Sequence, residues 1–327
     1  MPAVSVIIVA YQSADCLPRC LSALAHQSFR DFEIILIDNA SPDGGPDESA
    51  LPDNARLIRN AENRGFAAAN NQGAAEARGR WIALLNPDAF ARPSWLAELI
   101  GAAERHPDHR MIGSLQLMDE DDDVLDGAGD VYHASGLAWR GGHGDPAGIA
   151  PIRDAEIFGP CAAAALYDRE MFLAAGGFDE RYFCYFEDVD LALRLNLKGE
   201  RALVAPRAVV RHVGSASSGG RRSDFAVYHG FRNRLWTFIK CTPALVLPLA
   251  VPWHLAATLA LLAIHTARGG GKPAFRGLWD GLRGAGEFWR ARKSALPAED
   301  AFRAYGRAVS FSLTAPLFRG IHEKPLD

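Results

Sequence analysis

Cysteine is scarce in this chain: Cys16, Cys20, Cys161, Cys184 and Cys241 are the five among 327 residues. An odd number without paired finger spacing excludes a disulfide framework and a structural zinc module, so reduced thiols are expected. Cys16 and Cys20 fit one helix face, but two thiols alone are an incomplete ligand set, which leaves packing as their role. The N-terminus lacks the basic and apolar regions of a signal peptide, so the acidic part of the chain is expected in the cytoplasm. Internal repeats and disordered low-complexity tracts are also lacking. Formal charge is missing from Cys241 to Ala267, a stretch bracketed by Lys240 and Arg268.

Positive charge is thin early and dense late. Residues 1–200 hold 16 Lys and Arg against 32 Asp and Glu, whereas residues 201–327 hold 19 against 7. Such a split joins an acidic catalytic body to a basic segment that meets something anionic, with phospholipid and nucleic acid as candidates. A bilayer span takes about 20 apolar residues. The 241–267 stretch is long enough, but Pro243, Pro248 and Pro252 interrupt its first half and His254, Thr258, His265 and Thr266 dilute the rest. A helix lying in the membrane interface is the preferred reading, supported by Trp253 and by the basic 268–293 stretch with Trp279, Phe288 and Trp289. A re-entrant hairpin is one alternative; a hydrophobic helix packed on the body, or on a second subunit of a homo-oligomer, is another. The aromatics and the uncharged stretch suit lipid better than a phosphate groove, so no nucleic-acid partner is expected.

Short β-branched runs at 4–10 and 32–38, with a helix predicted at 15–26 between them, read as strand, helix, strand. A third strand at 56–59, an Ala-rich helix at 66–78 and a buried strand at 81–85 continue the alternation, which implies an open parallel sheet. Further helices are predicted at 93–106 and at 188–198, the latter stopped by Gly199, with strand-like passages at 202–204 and 209–210 before His212. The acidic run Asp119–Asp123 lacks the spaced Gly and terminal Glu of a calcium hand and reads as a solvated loop in a polar, Gly-rich region, 119–150.

Asp188 stands out because Gly176–Leu191 crowds five carboxylates among aromatic rings, a setting that raises the proton affinity of at least one of them. Asp38 and Asp88 both follow apolar runs and fall at the carboxyl ends of predicted strands, where ligands of open α/β sheets sit. Each residue also has an ordinary reading: Asp38 and Asp88 as turn residues, Asp188 as a helix-capping carboxylate, His212 as a packed ring.

Val4–Tyr11, Asp38–Ser41, Asn63–Gly73, Leu85–Ala89, Gly176–Leu191 and His212–Ser215 resemble, in order, the motifs of family 2 glycosyltransferases, and most of all those of bacterial rhamnosyltransferases. The resemblance fades beyond Lys240. It implies a GT-A type open mixed α/β sheet flanked by helices over residues 1–235, with a helical, membrane-associating region at 236–327. It further implies an inverting enzyme that takes a sugar from a dTDP- or UDP-linked donor, L-rhamnose from dTDP-rhamnose above all. The acceptor would be a cell-surface polysaccharide or lipid-linked oligosaccharide at the cytoplasmic face of the bacterial inner membrane. By the same resemblance Ala10, Tyr11, Asp38, Asn63, Arg64, Gly65, Asn86 and Asp88 contact the donor nucleotide. Asp88 and His212 hold Mg2+ or Mn2+, although Asn86 replaces the first acid of the family's metal motif. Asp188 is the general base, and Gly159, Pro160, Cys161, Glu187 and Asp190 face the acceptor. Phe178, Tyr182, Phe183 and Tyr185 are expected to wall the sugar, and Arg221, Arg222, Arg232 and Arg234 offer guanidiniums to a diphosphate or anionic lipid.

Overall fold

A computed structural model describes residues 1–214, 223–296 and 300–326, so Ser215, Arg221 and Arg222 lie outside the described residues. The aliphatic runs form β1 (Val4–Ala10), β2 (Phe32–Asp38), β3 (Ala55–Arg59) and β4 (Trp81–Leu85), connected through α1 (Leu17–Ala25) and α2 (Gly65–Glu76). These four strands are parallel in the order β3-β2-β1-β4. Every residue of β1 and β4 is buried, as expected for strands covered on both faces. α2 lies close to β1 and β2 because its inner face is small: a Cβ at Gly73 would collide with Ile7.

Next come β5 (Ala89–Ala91), α3 (Trp95–Arg105), β6 (His109–Met118), β7 (Asp121–Gly127), β8 (Asp130–Tyr132) and β9 (Ala138–Arg140). β10 (Ala155–Ile157), β11 (Ala164–Asp168), α4 (Arg169–Ala174), α5 (Glu187–Leu197) and β12 (Arg201–His212) complete the body. The C-terminal part comprises α6 (Asp224–Cys241), α7 (Leu247–Ala267), α8 (Gly271–Ala295), α9 (Ala301–Ala308), α10 (Ala315–Phe318) and β13 (Lys324–Pro325).

The full sheet is mixed rather than parallel. Its order among the described residues is β13-β10-β12-β6-β11-β4-β1-β2-β3, and β11 runs antiparallel to both neighbours. The chain enters β11 beside the carboxyl end of β4, Ala164 facing Leu85, with no crossover helix between β10 and β11, so the strand can only run back. The acidic run is a turn that leads into a strand, with Glu120, Asp121 and Asp123 exposed to solvent. Its end opens β7, where Asp122 is held by Arg211 at 2.6 Å and Arg92 at 3.2 Å, while Asp119 pairs with Arg19 at 2.6 Å.

The expected boundary after residue 235 falls inside α6, and the C-terminal part is not an appendage. Tyr305 and Val309 share a core with Val189, Ala192 and Leu193 of α5, and β13 adds to the main sheet through β10. α7 is long and apolar enough to cross a membrane by length and composition alone. Pro248 sits in its first turn, where a missing N–H costs little, and Pro252 is accommodated within the helix. Only Ala250, His254 and Thr258 are buried, with His254 stacked on Phe238 at 4.1 Å, while Leu249, Leu255 and Leu259 are 73%, 56% and 66% exposed.

Candidate active site

The carboxyl ends of β1 and β2 carry Ala10, which is buried, and Asp38, which is its register partner. An acid at a strand end that meets a donor base would present an open carboxylate. Asp38 is instead 7% exposed, because Arg59 lies opposite it in β3 and donates to Oδ2 at 3.1 Å, while Ser41 N–H donates to Oδ1 at 3.0 Å. Tyr11, half-buried, follows β1. Asn63 accepts from Asn39 at 2.9 Å and from Gly65 N–H at 2.9 Å, which fixes the start of α2 and leaves the Arg64 side chain exposed. Gly65 has φ +81°, and a Cβ there would strike Phe183.

Past β4, half-buried Asn86 and buried Asp88 sit above α1, and the Cys20 thiol contacts Asn86 O. β12 brings His212 to the same place: its backbone pairs with Ala89, and Val213 N–H donates to Asp88 O at 3.0 Å. His212 Nε2 is buried, makes no hydrogen bond among the described residues and lies 3.3 Å from Asp88 Oδ1. Its other nitrogen, Nδ1, is 2.7 Å from Asp126 Oδ2 at the end of β7. A carboxylate behind Nδ1 is the arrangement that backs a metal-ligating histidine, and it leaves Nε2 facing Asp88. Burial pushes the His212 pKa down, but the two carboxylates outweigh it and hold it above the ordinary value. Arg140 and His143 also contact Asp126. Burial acts to raise Asp126, yet the Arg140 charge and the two histidines keep it well below the usual carboxylate range.

Asp188 lies half-buried in the first turn of α5. Its Oδ2 accepts from Ala162 N–H at 3.2 Å, and Ala163 O accepts from Asn86 N–H at 2.8 Å. One three-residue segment, Cys161–Ala163, therefore ties Asp188 to the Asn86-Pro87-Asp88 turn. Asp130, Cys161 and Asp188 present ligand atoms all within 4.8 Å of one another. Burial pushes the Cys161 thiol up to about 12, and a soft sulfur beside two carboxylates makes the trio a poor nest for a hard cation. Desolvation raises Asp188 above its ordinary value. Desolvation first, and the Asp188 charge second, push Glu187 well above its own. Glu187 Oε2 is buried without a hydrogen-bond partner, which suits a protonated acid and leaves Asp188 as the ionised member of the pair.

Several expected contacts are corrected. Asp190 has no exposed surface; it binds Lys240 at 2.9 Å, Arg194 at 2.8 Å and the Tyr182 hydroxyl at 3.1 Å, so it anchors α5 to α6 and cannot meet an acceptor. Gly159 faces Ala192 of α5, where any Cβ would collide, and Pro160 packs against Gly113. Phe178 and Tyr182 are buried in separate cores, leaving only Phe183 and Tyr185 half-buried near the site. Arg234 is buried against Thr258, and Arg232 serves the backbone of Arg181 and Tyr182. Asp126, Asp130, Arg140 and His143 went unpredicted: they sit on hairpins whose partners are far away in the sequence, and no local period marks them. A separate cavity of about 500 Å³ between α1 and residues 43–52 is mainly apolar and contains neither Asp88 nor Asp188.

The profile of Glycosyl transferase family 2 matches residues 5–173, just over half of the chain. The chain belongs to that family. It is a glycosyltransferase with a GT-A type fold. The N-acetylglucosaminyl-diphospho-decaprenol L-rhamnosyltransferase of Mycobacterium tuberculosis (strain CDC 1551 / Oshkosh) is 31% identical over 251 residues, 68% of this chain and 80% of that protein. The O-antigen biosynthesis protein RfbC of Myxococcus xanthus is 32% identical over 238 residues, 68% of the transferase but only 18% of RfbC. The crystal structure of GalNAc-T7 with UDP, GalNAc and Mn2+ is similar at a TM-score of 0.55 and 17% identity, over 71% of this chain. That identity shows the fold alone, and the transferase spans about half (47%) of the GalNAc-T7 chain.

Proposed function

We propose that the protein is an inverting, metal-dependent transferase that moves L-rhamnose from dTDP-rhamnose to a cell-surface polysaccharide or lipid-linked oligosaccharide. One observation carries this reading: the segment Cys161–Ala163 links Asp188, through Ala162 N–H, to the turn that carries Asp88, through Ala163 O and Asn86 N–H, and Asp88 faces His212 at 3.3 Å. The name of the mycobacterial relative supports the sugar and the lipid-linked acceptor. Asp38 accepts an imide N–H of either thymine or uracil with its remaining lone pairs, so a UDP-sugar is the alternative donor. Asn63, Arg64 and Gly65 border the diphosphate, and Asp188 takes the acceptor proton as the hydroxyl oxygen attacks the anomeric carbon from the face opposite the departing diphosphate. Asp88 and His212 fit Mg2+ or Mn2+, because Nε2 and a carboxylate oxygen face each other at 3.3 Å with Asp126 behind; an ion held there would offset charge on the leaving diphosphate. Glu187 stays protonated and spares Asp188 a like charge; Cys161 lines the acceptor side beside it.

A panel of nucleotide sugars tested for thermal protection identifies the donor: at a hundredfold excess over Kd the preferred one stabilises the fold by about 2.7 kcal/mol. Protection by dTDP-rhamnose and not by UDP-sugars is the expected result. No protection by any of them would overturn the reading. Asp126→Asn is expected to weaken Mn2+ binding about 10–100-fold with nucleotide present, the usual effect of removing a carboxylate behind a metal-bound histidine. Equal affinity would remove His212 from the site.

The exposed face of α7, with Trp279 and Trp289 of α8 60% and 56% exposed, is proposed to rest in the cytoplasmic leaflet of the inner membrane. Trp253 is not one of its anchors, since it stacks on His133 at 5.7 Å. Replacing Leu249, Leu255 and Leu259 by Ser removes about 1.5 kcal/mol or more of partition free energy each, about tenfold per site. Co-sedimentation with anionic liposomes should be lost while transfer to a short soluble acceptor persists. Undiminished sedimentation would refute this placement.

A further inference from the structure

We infer that Asn233 of α6 is a positioning residue for Asp188, an inference that rests on Asp188 being the base. The loop that leads into α5 is strained: Phe183, Tyr185 and Phe186 have φ of +66°, +69° and +70°. L-residues other than Asn and Asp rarely adopt such angles, and three within four positions need an external hold. Phe183, with ψ −62°, is the centre of a γ-turn closed by Cys184 N–H to Tyr182 O at 2.8 Å. Phe186 is the left-handed residue just before α5, two positions ahead of Asp188.

The hold comes from one amide. Asn233 is fully buried, and its Nδ2 lies 3.0 Å from Tyr182 O, 2.9 Å from Cys184 O and 2.7 Å from Tyr185 O. Two N–H groups thus serve three carbonyls, one bond being shared. The amide cannot be turned round, because Arg232 Nε, only a donor, binds Asn233 Oδ1 at 2.9 Å. Arg232 Nη2 donates to Tyr182 O at 2.8 Å as well. From the opposite side Ala67 N–H, in the first turn of α2, donates to Phe183 O at 3.2 Å, a contact that Gly65 permits by having no side chain. The loop is therefore gripped between the donor-side helix and α6, and the grip sets where α5 begins and where Asp188 points. Global attachment of α6 does not depend on Asn233: Lys240 ties to Asp179 at 2.7 Å and Asp190 at 2.9 Å, and Thr237 binds the Tyr182 hydroxyl at 2.8 Å.

Asn233→Ala is expected to lower kcat about 100-fold, as a misplacement of about 1 Å does, with donor Kd close to wild type and a lowered thermal midpoint, because buried carbonyls lose their donor. Asn233→Asp separates donation from packing: it keeps the shape but turns acceptors on three carbonyls, so it should be at least as slow as the Ala variant. Wild-type kcat in either variant would overturn the inference, as would a loss confined to KM, or a fall in kcat matched by loss of donor binding. If wild type itself transfers no sugar, or Asp188→Asn remains active, it is the reading of the site that fails; a full-speed Asn233→Ala beside an inactive Asp188→Asn refutes the positioning role alone.

Discussion

Asp188→Asn is expected to lower kcat about 10³-fold, within the range that a positioned general base contributes. The carboxylate accepts from Ala162 N–H at 3.2 Å and from Val189 N–H at 2.8 Å; the amide oxygen keeps one of these bonds, so beside the proton acceptor one capping bond is lost, worth about 1 kcal/mol. The pH profile carries an independent sign. Burial raises the Asp188 pKa above the ordinary 3.8, so as pH falls through that raised value the carboxylate is protonated and transfer declines with it. The wild-type rate should therefore have an acid limb at higher pH than an unperturbed aspartate gives, and the residual rate of the variant should lack it. Stopped assays of initial rate across pH would test both. A variant that loses stability and donor affinity together with kcat would assign Asp188 to helix capping instead.

Asp88→Ala is expected to weaken metal-dependent donor binding about 100-fold, since the ion's contribution to charge on the diphosphate amounts to several kcal/mol. Chelation should bring wild type down to the level of the variant, and added Mn2+ should restore wild type alone. Calorimetric titration of the donor with and without Mn2+ provides the measurement. Full wild-type transfer in chelator would remove the ion from the account. In the proposed site the second donor would be His212, which β12 delivers from more than a hundred residues away and whose Nδ1 meets Asp126 at 2.7 Å.

The half of the fold that positions the nucleotide was readable because its signals are local. Val4–Ala10 and Phe32–Asp38 are short segments rich in Val and Ile, and the Ala-rich face of α2 tells how closely that helix packs. The antiparallel return at β11 was not readable, since Ala164–Asp168 carries no alternating pattern and nothing in it states its direction. Asp38 and Asp190 show the same limit for sites. Their chemistry as carboxylates was evident, but Arg59 opposite the first and Lys240 beside the second come from other elements and decide what each acid does. Asp126 is the converse case, a residue in a polar, Gly-rich stretch that is buried against His212, 86 positions away. The crowding of carboxylates around Asp188 is a local signal, whereas the burial that raises Glu187 well above its ordinary value comes from other elements.

Two acidic clusters flank Arg140, and the division of labour between them is the central claim. Crystals soaked with Mn2+ and the nucleoside diphosphate, measured at the manganese absorption edge, locate the ion directly. The account predicts an anomalous peak between Asp88 and His212 Nε2, with the Asp188 carboxylate outside the coordination shell. A peak within the Asp130–Cys161–Asp188 trio would make Asp188 a ligand and contradict its assignment as the base.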